Sequence, residues 1–514
     1  MSKIISPKVE FAKLREKVKS ITPEIFDSEG KFLNLIEGEW KCSGKPLDFI
    51  SPVDGTNLGA LPMLDRENAL RAVRFASGEF RVWSKTDLDE RKNRVSECLG
   101  LLQENVDLIA KLLMWEIGKT YNLALTDIQR CIEGVQWYVD NIEKLLENRT
   151  SLGLISNIAS WNYPMSVLMH AVLTQVLAGN SIIAKTPSDG GFISLSVTFA
   201  LARSCGLPVS LVSGSGGELS EVLVRNEHVD CLSFVGGRTN GRDVAAQLVN
   251  RQKRYILEME GVNTYGVWEF SDWDELAKQF KKGFDYGKQR CTAYVRFVVQ
   301  RKLFPQFLEM SLKVLNSLKV GNPTIVNSAE DDLPELDFGP IIKTEQVEEL
   351  KGLFHNALTT GATPIFDGEL DDDLFLTDQN KSTYFAPKSL VNLSRQSELY
   401  FREPFGPIDS IVLVDRIEEL VGEMNISNGS LVAAIASDDE KLANRLSKEI
   451  RSFKVGINKM RSRGDFDEVF GGIGESWKGC FVGGNLLIEA VTISNNRQPL
   501  RGNFEDYTLA PDRR

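Results

Sequence analysis

Apolar residues recur along this chain in two registers, and the change from one to the other marks its organisation. From Leu88 onward, Val95, Cys98, Leu99 and Leu102, then Ile109, Leu112 and Leu113, fall at the three-to-four spacing that gives a helix one buried face. The spacing predicts two consecutive helices, and a further helical pattern covers Leu123 to Leu146. Beyond it, short apolar runs at Leu154 to Ile158, Ser181 to Lys185, Val209 to Ser213, Cys231 to Val235 and Arg254 to Glu258 alternate with helix-length segments. βαβ crossovers need that alternation. One helical segment opens at Pro164, whose fixed φ and missing N–H suit a first turn. The prediction is an α/β fold, a parallel sheet with helices on its faces. Ligands of open α/β sheets bind beyond the carboxyl ends of the strands, which singles out Lys185, Ser213 to Gly217, Gly236 with Gly237, and Glu258, and points to a nucleotide.

After about residue 260 a second α/β unit begins, with a strand at Tyr294 to Gln300 and a mainly helical stretch at Leu303 to Leu318, and it runs to about residue 470. Residues 1–32 read as a charged N-terminal arm or leading helix and 492–514 as a polar tail; no internal repeat is visible. The acidic stretches Glu330 to Asp337 and Asp367 to Asp378 read as solvated loops, because adjacent carboxylates repel. Without EF-hand spacing, calcium is not expected there.

Composition narrows the class. Of 514 residues, 42% are hydrophobic and 25% charged, a globular balance with enough apolar surface for a large core. Such a length suggests about three units of ~150 residues. Lys and Arg number 60 against 71 Asp and Glu, and the net charge of -11 repels nucleic-acid backbones and anionic lipid surfaces. Seven cysteines, at 42, 98, 131, 205, 231, 291 and 480, form no CxxC pair and read as reduced thiols. The N-terminus lacks an apolar run and no segment reaches the ~18 apolar residues of a membrane span, so a soluble cytoplasmic protein is expected. The sequon Asn148-Arg149-Thr150 is set aside for the same reason. The three histidines, His170, His228 and His355, are too scattered for zinc or a Ser-His-Asp series, and His170 reads as a packing residue. No metal site is expected, and acid–base chemistry falls to carboxylates, a thiol, Lys or Tyr.

Taken singly, Gly214-Ser215-Gly216-Gly217 and Gly236-Gly237 are weak signals, and a lone Cys291 is more often a small core residue than a nucleophile. Their order changes that weighing. The chain holds Ser160-Trp161-Asn162-Tyr163-Pro164, Lys185 ending a strand, Phe234-Val235-Gly236-Gly237, Leu257-Glu258-Met259-Glu260-Gly261 and Gln289-Arg290-Cys291-Thr292-Ala293. Glu403-Pro404-Phe405-Gly406-Pro407 and Phe470-Gly471-Gly472 follow. From about residue 33 to 491 this series resembles the aldehyde dehydrogenase superfamily, with Ser51-Pro52-Val53-Asp54-Gly55 and Glu116-Ile117-Gly118-Lys119 extending the likeness. The resemblance implies two parallel-sheet α/β domains: a Rossmann-like cofactor domain over 33–146 and 152–258, and a catalytic domain over 259–470. Residues 471–491 would return to the cofactor domain and supply an interface strand, beside a reduced oligomerisation element.

The resemblance also implies roles. Cys291 would attack the aldehyde to form a thiohemiacetal. The Asn162 side-chain amide and the Cys291 N–H would hold the oxyanion, and Glu258 would activate the water that hydrolyses the thioester. Lys185 is placed on the adenosine ribose, Gly236 and Gly237 at the pyrophosphate, Glu403 on the nicotinamide ribose, and Phe405 near the nicotinamide, with Trp161 also counted as cofactor-binding. NAD-preferring relatives often carry a Glu at the position of Ser188 that binds ribose hydroxyls and repels a 2′-phosphate. Asp189 could take over that role, so the cofactor reads as NAD or NADP.

Several positions depart from the pattern. Glu260 places a second carboxylate near Glu258, either raising its pKa or facing solvent. Gly237 removes a serine from the cofactor side, and Lys288 replaces a common glycine, either lowering the Cys291 pKa or facing outward. Between Leu146 and Leu154 there is little room for the subunit-bridging hairpin of relatives, while Asn485 to Val491 resembles their terminal interface strand; a homodimer is expected. Trp115, Trp161, Tyr163 and Trp477 read as substrate walls or, more often for tryptophan, core packing, and no cluster of arginines marks a carboxylated substrate. The leading expectation is an NAD(P)-dependent aldehyde dehydrogenase releasing a free acid. The alternatives are a coenzyme A-acylating relative and a catalytically silent binding or structural member.

Overall fold

The computed structural model describes residues 6–248, 253–427 and 429–504; the first residues of the expected arm and the end of the expected tail lie outside them. The five strands read from the sequence lie side by side in one nine-stranded sheet. Across it the order is Gly502–Asn503, Trp477–Cys480, Arg254–Glu258, Cys231–Val235, Leu154–Ile158, Ser181–Lys185, Val209–Val212, Asn34–Ile36 and Glu39–Lys41. The five central strands pair in parallel. Their near-continuous burial, complete in Ser181–Lys185 and Val209–Val212, explains why their apolar runs do not alternate. Short antiparallel strands close both edges.

A second sheet of seven strands follows, ordered Thr363–Asp367, Lys388–Val391, Ile408–Val414, Tyr294–Gln300, Asn263–Val267, Ser430–Ala436 and Ser452–Ile457. All of its pairings are parallel except that of the first strand. Residues 259–262 alone carry the chain from Arg254–Glu258 in the first sheet to Asn263–Val267 in the second.

The expected helices form at Leu88–Glu104, Val106–Ile117 and Tyr121–Leu145. The segment opening at Pro164 begins as a π turn, Pro164–Met169, before the α-helix His170–Leu177. The motif Glu116-Ile117-Gly118-Lys119 is a packing device. Gly118 ends its helix at φ 69, where an added Cβ would lie 2.4 Å from Pro340 Cγ. Lys119 Nζ meets Asp127 at 2.9 Å with both side chains buried. The buried Glu116 carboxylate accepts from the Ile193 and Ser194 N–H groups at 2.6 and 2.9 Å, capping the helix Phe192–Ser204 that covers the sheet.

Three expectations need correction. Asn485 to Val491 is no strand: Asn485–Ala490 is a helix with Leu486, Leu487, Ile488 and Ala490 buried, a continuous apolar run whose period leaves helix and strand undistinguished. The strand is Thr492–Ser494, paired antiparallel with Arg149–Ser151 in the short gap before Leu154. The tail is therefore structured as far as Gly502–Asn503, which pairs with the edge of the first sheet. The acidic stretch from Asp367 is not wholly loop, since Asp367 ends a strand and Asp372–Leu374 is a short 3₁₀ turn. In the arm, Phe11–Ile21 is a helix burying Phe11, Leu14 and Val18. Trp115 packs on Phe11 and Trp477 donates to the Cys480 carbonyl, so both are core residues. Among the described residues no helix is long and apolar enough to cross a membrane.

Removing the Glu116 cap leaves two buried N–H groups without acceptors, and Glu116→Ala is expected to cost about 1–3 kcal/mol of stability. Urea unfolding measures this, with Glu116→Gln expected to lose less; an unchanged midpoint for the alanine variant would show that water replaces the carboxylate.

Candidate active site

Glu258 ends a strand of the first sheet, and Cys291 lies just ahead of Tyr294–Gln300 in the second. At the seam their side chains meet: the Cys291 thiol donates to Glu258 Oε1 at 3.0 Å. The half-buried Cys291 is fixed through its backbone, because Asn263 Nδ2 donates to the carbonyls of Cys291 and Ala293 at 2.7 and 3.0 Å. Gln289 ties the same loop to 340–342, donating to the Pro340 carbonyl at 3.1 Å and accepting from the Ile342 N–H at 2.9 Å. Burial, then the charge of Glu258, pushes the Cys291 thiol well above its ordinary pKa, with Arg463 opposing. The thiol is aimed at the Glu258 carboxylate.

Asn162 is buried beside this loop. Its amide nitrogen donates to the Gln289 carbonyl at 3.0 Å and its oxygen accepts from Ser160 Oγ at 2.6 Å, which fixes the side chain. An amide NH₂ carries two hydrogens, so a second N–H remains for a substrate oxygen.

Both sequence readings of Lys288 fail. With φ at 58° it follows two further left-handed residues, Tyr286 and Gly287, which turn its side chain inward. The buried ammonium pairs with Asp409 at 2.8 Å and donates to the Tyr294 carbonyl at 2.7 Å. It anchors the Cys291 loop from beneath. Glu260 neither couples to Glu258 nor faces bulk water; it is half-buried against Arg238, and its charge acts on Glu403.

Sequence inspection missed Arg463. Its Nη2 lies 2.6 Å from Glu258 Oε2, and its guanidinium stands 4.9 Å from the Phe470 ring centroid. Arg130 donates to the Gly464 carbonyl at 2.8 Å, and Arg461 binds Glu468 at 2.7 Å, so the fold brings Arg130 to the segment that carries Arg461 and Arg463. Arg461 and Arg463 stand two positions apart in the sequence, but Arg130 lies 334 positions before Gly464, a pairing that no local pattern shows.

On the other side lie the residues expected to face a dinucleotide. Lys185, ending its strand, is buried and donates only to the Thr186 carbonyl and Ser188 Oγ, at 3.0 and 3.3 Å, among the described residues. Burial lowers its pKa to about 8. Ser188 is exposed, and Asp189 is held by Lys343 at 2.9 Å. Gly236 and Gly237 precede the helix Arg238–Leu248, whose N-terminus suits a phosphate; a Cβ at Gly237 would meet nothing nearer than Glu260 Oε2 at 3.6 Å. Glu403 is buried, and among the described residues neither carboxylate oxygen has a well-formed hydrogen-bond partner. Burial and Glu260 push its carboxyl well up, only partly offset by Arg238 and the Gly261 N–H. A buried acid left unpaired fits an incoming pair of hydroxyls. Phe405 and Trp161 stand edge to face at 6.1 Å beside it. An unpaired buried acid, a buried cation without a hydrogen-bonded carboxylate and an open glycine turn fit the dinucleotide that the sequence implied.

The description "Aldehyde dehydrogenase family" fits residues 40–495 of the chain. The chain belongs to this family. The NADP-dependent glyceraldehyde-3-phosphate dehydrogenase of Streptococcus equinus is 24% identical over 485 residues, covering 90% of this chain and 97% of that enzyme. The enzyme of the same name from Pisum sativum is 26% identical over 483 residues, covering 89% and 92%. The crystal structure of NADP-dependent glyceraldehyde-3-phosphate dehydrogenase from Bacillus halodurans C-125 complexed with NADP superposes with a TM-score of 0.81 at 25% identity, covering 90% and 98%. The chain is an oxidoreductase that oxidises an aldehyde with reduction of NAD or NADP. Nothing in these relatives supports the coenzyme A-acylating alternative.

Lys288→Met strands a buried Asp409, and breaking such a pair on one side typically costs about 3–5 kcal/mol. The double variant Lys288→Met/Asp409→Leu should recover most of the loss in chemical denaturation. A single variant as stable as the parent would contradict the anchoring role.

Proposed function

We propose that Cys291, Glu258 and Asn162 perform the oxidation and that water, not coenzyme A, releases a free carboxylic acid. The contact between the Cys291 thiol and Glu258 Oε1 is the observation that carries this reading. As the sulfur adds to the carbonyl carbon, its proton passes to Glu258 and the carbonyl oxygen takes up negative charge. The free N–H of Asn162 and the Cys291 backbone N–H supply donors for that oxygen, each worth about 3–4 kcal/mol in comparable sites. Lys185, Gly236, Gly237, Glu403, Phe405 and Trp161 would hold the dinucleotide, which when bound would supply the acceptor for the hydride that leaves the thiohemiacetal carbon. Glu258 gives its proton to solvent, then takes one from water, whose oxygen attacks the Cys291 thioester; the C–S bond breaks and the thiol is restored.

NADP is the preferred cofactor in this reading. Ser188 carries no charge, and Asp189, the one acid beside it, is neutralised by Lys343. The protein is read as a cytoplasmic homodimer. Free cysteines throughout the described residues support a reducing compartment, and the ribbon of Thr492–Ser494 with Arg149–Ser151, carrying an exposed Ile493, supports the interface.

An aldehyde screen with both nicotinamide cofactors is expected to show NAD(P)H formation that Cys291→Ala abolishes; turnover surviving in that variant would remove the thiol from the mechanism. Glu258→Gln should slow steady-state turnover by at least about a hundredfold. Lys343→Ala frees Asp189 and should shift the NADP-to-NAD ratio of kcat/KM about fivefold toward NAD. No shift would take Asp189 out of cofactor choice.

A further inference from the structure

We infer that Arg463 selects aldehydes bearing an anionic group and exchanges its partner from Glu258 to that group when substrate enters; the inference rests on the proposed roles of Cys291 and Glu258. The Glu258 side chain is 1% exposed, whereas that of Arg463 is 32% exposed, so one end of this ion pair is sealed and the other reaches open space. A guanidinium offers five N–H donors, and Glu258 Oε2 engages one nitrogen. The other oxygen of the same carboxylate receives the Cys291 thiol, so guanidinium and thiol share one partner.

The loop carrying Arg463 is pinned, so the side chain works from a fixed base. Lys454 Nζ donates to the Arg463 carbonyl at 2.8 Å, and Arg130 holds the next carbonyl, that of Gly464. Gly464, at φ 93, lets the turn pack against Lys454 and Glu468, where an added Cβ would fall within 2.1 Å of Glu468 Oε2. Lys454 and Arg461 share that one carboxylate at 2.6 and 2.7 Å. Four cations, Arg130, Lys454, Arg461 and Arg463, thus face two carboxylates, Glu258 and Glu468. Asp465 and Asp467 on the same loop are exposed and, among the described residues, make no ion pair. An apolar aldehyde gains nothing from this excess of positive charge, while a carboxylate or phosphate takes up charge-assisted hydrogen bonds from it. Such a group would also draw Arg463 off Glu258 Oε2 and leave that oxygen to water, which couples occupancy to activation of the base.

Two matched pairs test the charge and separate its sources: 4-oxobutanoate against its neutral methyl ester, and glyceraldehyde 3-phosphate against glyceraldehyde. The expected result is a kcat/KM ratio favouring the anion in at least one pair, falling tenfold or more in Arg463→Gln and partly restored in Arg463→Lys. The pair with the larger ratio identifies the anionic group. A second readout needs no turnover: Cys291 alkylation by iodoacetate relative to iodoacetamide should be several-fold higher in the parent than in Arg463→Gln. Should that variant fail to fold, competitive inhibition of ester oxidation by propanoate or inorganic phosphate in the parent enzyme replaces it. Ratios near one in both pairs, an unchanged alkylation ratio, or absence of such inhibition would overturn the inference. Absence of turnover by the parent with all four aldehydes would count against the Cys291 chemistry instead.

Discussion

The hydrogen bond from Cys291 to Glu258 links the ends of two separate sheets, and the proposed chemistry depends on that juncture. It is possible because residues 259–262 take the chain directly from one sheet into the other. Glu258 therefore cannot move independently of the second sheet, and Cys291 is tied to the first residue of its neighbouring strand through Asn263. A longer crossing would let nucleophile and base separate by ångströms, and positioning errors of that size cost orders of magnitude in rate.

Around this juncture the protein buries many charges, and their treatment separates structure from function. Lys119 with Asp127, and Lys288 with Asp409, are matched pairs whose removal on one side would strand a charge. Glu116 is matched by two backbone N–H groups. Glu403 is different: it is as deeply buried yet lacks a well-formed partner, and Glu260 adds a like charge to its surroundings. A folded chain retains such an unpaired acid where something else completes it, and ribose hydroxyls are donors of the required kind.

The central sheet was legible in the sequence because Leu154–Ile158 and its four parallel neighbours are buried runs interrupted by helices, a signal local in the chain. The order of Asn162, Lys185, Glu258, Cys291 and Glu403 carried the family likeness, and the fold brings Glu258 to Cys291 and Trp161 to Phe405. What escaped notice depends on pairings between remote segments. Lys288 looked like a neighbour of Cys291 because it stands three positions before it, but three left-handed residues turn it toward Asp409. Arg463 was not singled out, since its partner stands 205 positions away. Asn485–Ala490 was misread for the opposite reason: the local pattern was present, but a run of buried apolar residues carries no period.

The two carboxylates introduced near the cofactor, Glu260 and Asp189, show how neighbours decide what a charge does. Glu260 lies two residues from Glu258 in sequence, yet along an extended chain alternate side chains project alike only while the strand continues, and this strand ends at Glu258. Beyond its end Glu260 turns to Arg238 and is felt by Glu403, on the nicotinamide side of the proposed site. Asp189 stands next to the proposed ribose contacts, but Lys343 from the second unit reaches across to neutralise it. In both cases a basic residue from another element sets the local potential, so the number of acids near the dinucleotide groove does not measure its repulsion for a phosphate. The same reasoning applies to Arg463, whose meaning lies in the buried carboxylate it balances and in the anion that can compete for it.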